Sequence, residues 1–132
     1  MYWDSTSITH NKEKLSDKLN NLEHYSTEET FTGKYWIDGK KIYRKVLTGT
    51  FTGDNENDIN IAYLGTVNIV SMQGTINNGS FIFPINNYYG LSTEYWVSTF
   101  YDNYTGYLKM NAGNKYTDDP YIVIVEYIKT TE

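Results

Sequence analysis

Asp38 and Gly39 constrain this chain more than any other pair. They stand between the strand-forming residues Tyr35 and Ile37 on one side and Ile42, Tyr43, Val46 and Leu47 on the other. Glycine tolerates positive φ, and an Asp-Gly pair between two such runs predicts a tight turn and an antiparallel hairpin. Lys40, Lys41, Arg44 and Lys45 follow the turn and have two readings, contacts for an anionic ligand or the solvated charges of a strand edge. The edge reading needs no ligand and is preferred.

Upstream of this hairpin the apolar spacing is helical. Ile8, Leu15 and Leu22 recur every seven residues, and Leu19 fills the alternate apolar position between the last two. Lys12, Glu13, Lys14, Asp17, Lys18 and Glu23 would clothe the other faces. A helix over 12–24 would extend only about 20 Å, too short to be stable without packing, and Lys14 and Lys18 repel at i,i+4. Two remedies are open: self-association as an oligomeric neck, or folding back over the rest of the chain. The neck is the expectation, with Ile8, Leu15, Leu19 and Leu22 as its oligomerisation residues. The chain then divides into an N-terminal segment, 1–25, and a β domain, 26–132, with the boundary near 26–30.

Beyond Tyr25 the pattern is one of short strand-like runs punctuated by Gly, Asn and Asp. Val67 to Met72 and Phe81 to Ile85 read as a pair of strands around a turn-rich 74–79. Tyr95 to Tyr101, Tyr107 to Met110 and Tyr121 to Tyr127 add three more. Many close-spaced strands with no αβ alternation predict a mainly β fold, an antiparallel β-sandwich of jelly-roll-like kind. The last run, YIVIVEY, places Ile122, Val123, Ile124 and Val125 in succession, so both faces of that strand need cover: an opposing sheet on one, a neighbouring subunit or a loop on the other.

Chemistry is sparse. Asp54, Glu56 and Asp58 alternate as oxygen ligands for calcium can, but the sixth and twelfth loop positions from Asp54 are Ile59 and Gly65 rather than Gly and Glu, so GDNENDINIAY reads as a polar loop and no metal is expected. Asp118 and Asp119 read as turn residues before Pro120 rather than as a catalytic carboxylate pair. Only His10 and His24 could act as histidine bases, and neither belongs to a hydrolase motif. Neither GxGxxG nor a Walker loop is present. The expectation is a protein that is not an enzyme and needs no cofactor. A net charge of −5 opposes nucleic-acid binding, the absence of cysteine excludes disulfides and thiol chemistry, and no apolar run is long enough to span a bilayer, so no membrane insertion is expected.

What the composition does supply is aromatic surface: 14 Tyr, 3 Trp and 5 Phe. Tyr88 and Tyr89 before Gly90, then Tyr95-Trp96, Tyr101, Tyr104 and Tyr107, lie among Asn and Thr. Most of these suit a sandwich core. Those on loops suit ligand contact, because an aromatic face stacks on a sugar ring while amides and carboxylates bond its hydroxyls. The candidate ligand-binding residues are Tyr88, Tyr89 and Tyr104 with Asn86, Asn87, Asp102 and Asn103.

The segment YSTEETFTGKYWIDGKKIYRKV and the closing VEYIKTTE resemble the C-terminal domains of phage and prophage tail-fibre or baseplate-associated proteins, over about residues 25–132. Tyr25, Trp36, Asp38, Gly39, Lys40, Tyr43 and Arg44 carry the opening match, and Glu126, Tyr127, Lys129, Thr130 and Thr131 the closing one. Tyr35 departs from the family pattern by separating Gly33-Lys34 from Trp36. The resemblance implies a β-rich virion appendage carried as a homotrimer, partnered by other tail or baseplate proteins, located on the virion tail, and used to recognise a ligand on the host surface, a glycan in the preferred reading. The alternative is a purely structural tail component. The matched residues are expected to specify folding, leaving ligand choice to the Tyr- and Asn-rich loops.

Overall fold

The computed structural model describes residues 24–51, 56–86, 96–112 and 116–132. The heptad residues Ile8, Leu15, Leu19 and Leu22, and with them the neck, lie outside the described residues, as do Asn87, Tyr88 and Tyr89. Among the described residues eight strands follow one another: β1 (Thr30–Tyr35), β2 (Lys41–Thr50), β3 (Glu56–Asn60), β4 (Val67–Asn77), β5 (Ile82–Pro84), β6 (Val97–Asp102), β7 (Tyr107–Ala112) and β8 (Pro120–Lys129), with a 3-10 turn at Ala62–Leu64. They form a five-stranded sheet in the order β1-β2-β8-β4-β5 and a three-stranded sheet in the order β3-β7-β6, every pairing antiparallel. The protein is mainly β, an antiparallel sandwich.

β2 pairs with β8 and β3 with β7, so early strands meet late ones, but the nesting that a jelly roll would continue stops there, since β6 pairs with β7 and not with β4. The hairpins β4–β5 and β6–β7 fill the remaining places. Between the sheets, Leu47, Ile76, Tyr121, Val123, Val125 and Tyr127 from the larger meet Val97, Leu108, Met110 and Ala112 from the smaller in one buried cluster. Phe51, Tyr116, Tyr121 and Phe83 extend it as a run of rings: Phe51 lies 5.8 Å from Tyr116 and 6.4 Å from Tyr121, and Phe83 meets Tyr116 edge-on at 5.9 Å. Phe51, Phe83, Tyr116, Tyr121 and Tyr127 are the core rings, whereas the aromatics expected there from the 88–107 stretch supply no buried ring among the described residues: Trp96, Tyr101 and Tyr107 are partly buried and Tyr104 is exposed.

The Asp38-Gly39 turn forms as expected. Gly39 has φ +86° and donates to the Trp36 carbonyl at 2.9 Å, while the Trp36 N–H donates to the Lys40 carbonyl at 2.8 Å. Asp38 Oδ1 accepts the Lys40 N–H at 3.0 Å. β1 carries extra residues between its Phe31↔Tyr43 and Tyr35↔Lys41 pairs, and the buried Thr32 hydroxyl stitches that bulge by donating to the Ile42 carbonyl at 2.8 Å and accepting from the Lys34 N–H at 3.2 Å.

Two sequence expectations change. Glu56–Asn60 is a strand rather than a polar loop, the edge of the smaller sheet; its polarity is that of an edge, with Asn57 turned inward and Glu56 beside Lys109 on the paired strand. β4 does not end at Gly74 but continues to Asn77, and the turn is confined to the residues before Ile82, where Asn78 Oδ1 accepts from Ser80 and Phe81. The apolar run of β8 lies at the centre of the larger sheet. Tyr121, Val123, Val125 and Tyr127 face the core, while the outer face is graded: Ile128 is buried, Ile124 is partly buried and Ile122 remains 49% exposed. Asp118 and Asp119 do sit in a turn, the Asp118 N–H donating to the Phe51 carbonyl at 2.9 Å and the Phe51 N–H to that of Asp119 at 2.8 Å.

Candidate binding site

The β6–β7 connection is a turn whose scaffolding residues and exposed aromatic are separate. Gly106, at φ +74°, donates to the Asp102 carbonyl at 2.9 Å. Asp102 Oδ1 accepts the Tyr104 N–H at 2.9 Å, and Asp102 Oδ2 lies 3.5 Å from Lys109 Nζ. That backbone N–H, followed by Thr105 and Lys109, holds the Asp102 carboxyl below the usual carboxylate range. Desolvation acts against the charge of Lys109, yet Asp102, Asp58 and Glu56 raise its pKa above the ordinary value. Asp102 is thus occupied within the turn. Asn103 is exposed in the same turn, and Tyr104 projects from it fully exposed.

Asn86 lies elsewhere. Its Oδ1 accepts the Thr99 N–H at 3.0 Å, and the buried Thr99 hydroxyl donates to the Ile85 carbonyl at 2.7 Å, so the pair ties the end of β5 to β6 across the two sheets. Asn86 also borders an open groove of about 520 Å³ on the outer face of the larger sheet, floored by Ile122, Ile124 and Pro84 and flanked by Gln73 and Thr75. The expected ligand-binding residues therefore divide between two places. Asn86 is at the groove, whereas Asp102, Asn103 and Tyr104 share the turn beyond the far end of β6.

A third cluster joins Tyr43, Tyr127 and Lys129, which the sequence marks as folding residues, to Glu29 and Glu132, which it does not. Glu29 accepts from the Tyr127 hydroxyl at 2.5 Å and from Lys129 Nζ at 2.6 Å, and Glu132 accepts from the Tyr43 hydroxyl at 2.5 Å. Tyr43 stacks on Tyr127 at 6.1 Å, with Lys129 Nζ 4.7 Å from the Tyr43 ring centroid. Residues separated by about the length of the domain meet here, which local spacing could not reveal. The cluster fastens the chain ahead of β1, where the Val46 N–H also donates to the Ser26 carbonyl at 2.9 Å.

The hydrogen bond to Glu132, with desolvation, pushes Tyr43 up to about 12, and burial followed by the bond to Glu29 pushes Tyr127 higher still. Both folded values lie above the ordinary 10.0, so the stability these groups contribute is intact below pH 10.0 and declines as pH rises through the folded values. Alkaline titration of unfolding should show that decline. Tyr127→Phe should cost about 1 kcal/mol at neutral pH and flatten the alkaline slope; an unaltered slope would show that the Tyr127 hydroxyl does not carry it.

Among the described residues, no group of three His, Asp or Glu is placed to hold a metal, and no helix is long and apolar enough to cross a membrane. No family model, curated protein or solved structure matches the chain.

Proposed function

We propose that this chain is a non-enzymatic tip module of a phage or prophage tail fibre or baseplate, which presents loop aromatics to a glycan on the bacterial surface. The observation that supports it most is Tyr104. Asp102 and Gly106 supply the turn chemistry, so folding asks for no aromatic at that position, and a large ring stands in water on a locked backbone. Such a ring can stack on a sugar at little ordering cost. Carried as a homotrimer on the virion tail, three weak sites would engage closely spaced surface glycans together.

Tyr104→Ala should reduce binding to host cells or purified surface polysaccharide by about tenfold, with an unchanged circular dichroism spectrum. Unchanged binding would remove Tyr104 as the contact. The outer-face groove favours a second reading, a structural tail component: its floor of Ile122, Ile124 and Pro84 suits an apolar protein surface.

A further inference from the structure

The β1–β2 hairpin ends in an apex whose side chains the turn does not require. Asp38 and Gly39 satisfy the turn geometry, yet the neighbouring Ile37 is 93% exposed, Tyr35 61% and Trp36 38%. Phe31 lies behind them, 5.6 Å edge-on from Tyr35, with Lys41 Nζ 5.3 Å from its ring centroid. An aliphatic residue at the tip of a turn, preceded by two aromatics, is costly in water and is left almost bare by the described residues.

The charge around it is equally uneven. Residues 34–45 hold five basic side chains, Lys34, Lys40, Lys41, Arg44 and Lys45, against the single acid Asp38, a net of +4 in a chain whose total is −5. Arg44 and Lys45 fold back on the chain, donating to the His24 and Thr27 carbonyls, and Lys40 pairs with Asp38 at 3.2 Å. Lys34 and Lys41 remain exposed beside the apolar apex.

From this juxtaposition we infer that the hairpin apex is a peripheral docking element for an anionic lipid bilayer, with Ile37 and Trp36 entering the headgroup boundary while Lys34 and Lys41 meet the lipid phosphates. Trp and Tyr favour the headgroup level, Ile favours the acyl boundary just beneath it, and each lysine near an anionic surface adds attraction. A soluble polyanion, whether glycan or nucleic acid, would use the lysines and rings but gain nothing from Ile37. No segment crosses the bilayer in this arrangement; it amends the expectation of no membrane insertion, which rested on the lack of a spanning run. The inference is independent of the glycan reading, which uses Tyr104.

The test is co-sedimentation of the full chain with phosphatidylcholine vesicles, with and without phosphatidylglycerol. Binding should require phosphatidylglycerol and weaken with salt. Ile37→Asp should lower the partition by about tenfold or more and Ile37→Leu should keep it, while Lys34→Gln with Lys41→Gln should abolish the preference for anionic vesicles. These positions are exposed and leave Asp38 and Gly39 untouched, so the fold is expected to survive. The inference is overturned if no vesicle binds, if Ile37→Asp binds as the parent does, or if the chain binds heparin but not vesicles. A fall in solution mass on Ile37→Asp without any vesicle binding would place the apex against another copy of the chain and overturn it too.

Discussion

Gly74→Ala should destabilise the domain by about 3 kcal/mol, although it adds a single methyl group. Gly74 sits opposite Val123 in the β4–β8 ladder at the middle of the larger sheet. A Cβ there would lie 2.0 Å from the Ile122 carbonyl oxygen and 3.0 Å from the Val123 Cα. These are backbone atoms, so no rotamer change relieves the clash; the strands must part and weaken the ladder on both sides. Ile85, whose N–H donates to the Gly74 carbonyl at 3.1 Å, would move with it. Gly49→Ala is the control. A Cβ at that site would meet side-chain atoms only, the Tyr121 hydroxyl at 2.5 Å and Cζ at 2.8 Å, so one ring rather than a strand has to shift, and the substitution should cost less. Urea unfolding of both variants at equal m-value measures the difference. A Gly74→Ala midpoint as high as that of Gly49→Ala would show that β4 and β8 are not so closely apposed.

Phe51→Ala should cost about 3–5 kcal/mol, the range for removing a fully buried ring. Phe51 is the link between Tyr121 and Tyr116, and Tyr116 in turn meets Phe83 on the edge strand β5. Truncation leaves a void whose walls are other rings, and rings do not collapse into a hole of another shape. The Phe51 backbone, bonded to Asp118 and Asp119, would hold the surrounding chain in place and keep the void open. Phe51→Leu, which keeps most of the volume, should recover much of the loss. Equal destabilisation by both variants would count against a packing origin.

What the residues disclosed beforehand depended on whether the information was local. The Asp38-Gly39 turn needs only its own backbone preferences, and the run Tyr107 to Met110 reads as a strand without reference to any partner. β3 escaped detection because an edge strand carrying Glu56, Asp58 and Asn60 looks like a loop until its partner is known. By sequence Gly74 looks like a turn former, the commoner use of glycine, whereas its role is close approach between strands. The bonds joining Glu29 to Tyr127 and Lys129 depend on topology, not spacing. At the site, a loop tyrosine was foreseeable for Tyr104, but its separation from Asn86 was not, because it follows from which sheet each strand joins.

The place of β8 between β2 and β4 sets an order of assembly. Until residues 120–129 leave the ribosome, the larger sheet lacks its middle, and β2 and β4 each offer an unsatisfied ladder to whatever strand comes first. The domain has to close late, through contacts distant in sequence, and slow closure favours misjoining between neighbouring nascent chains. A polysome crowded with copies of one message is where that hazard would be greatest, so yield during expression should respond to translation speed and to chaperone supply more than to the stability of the finished domain.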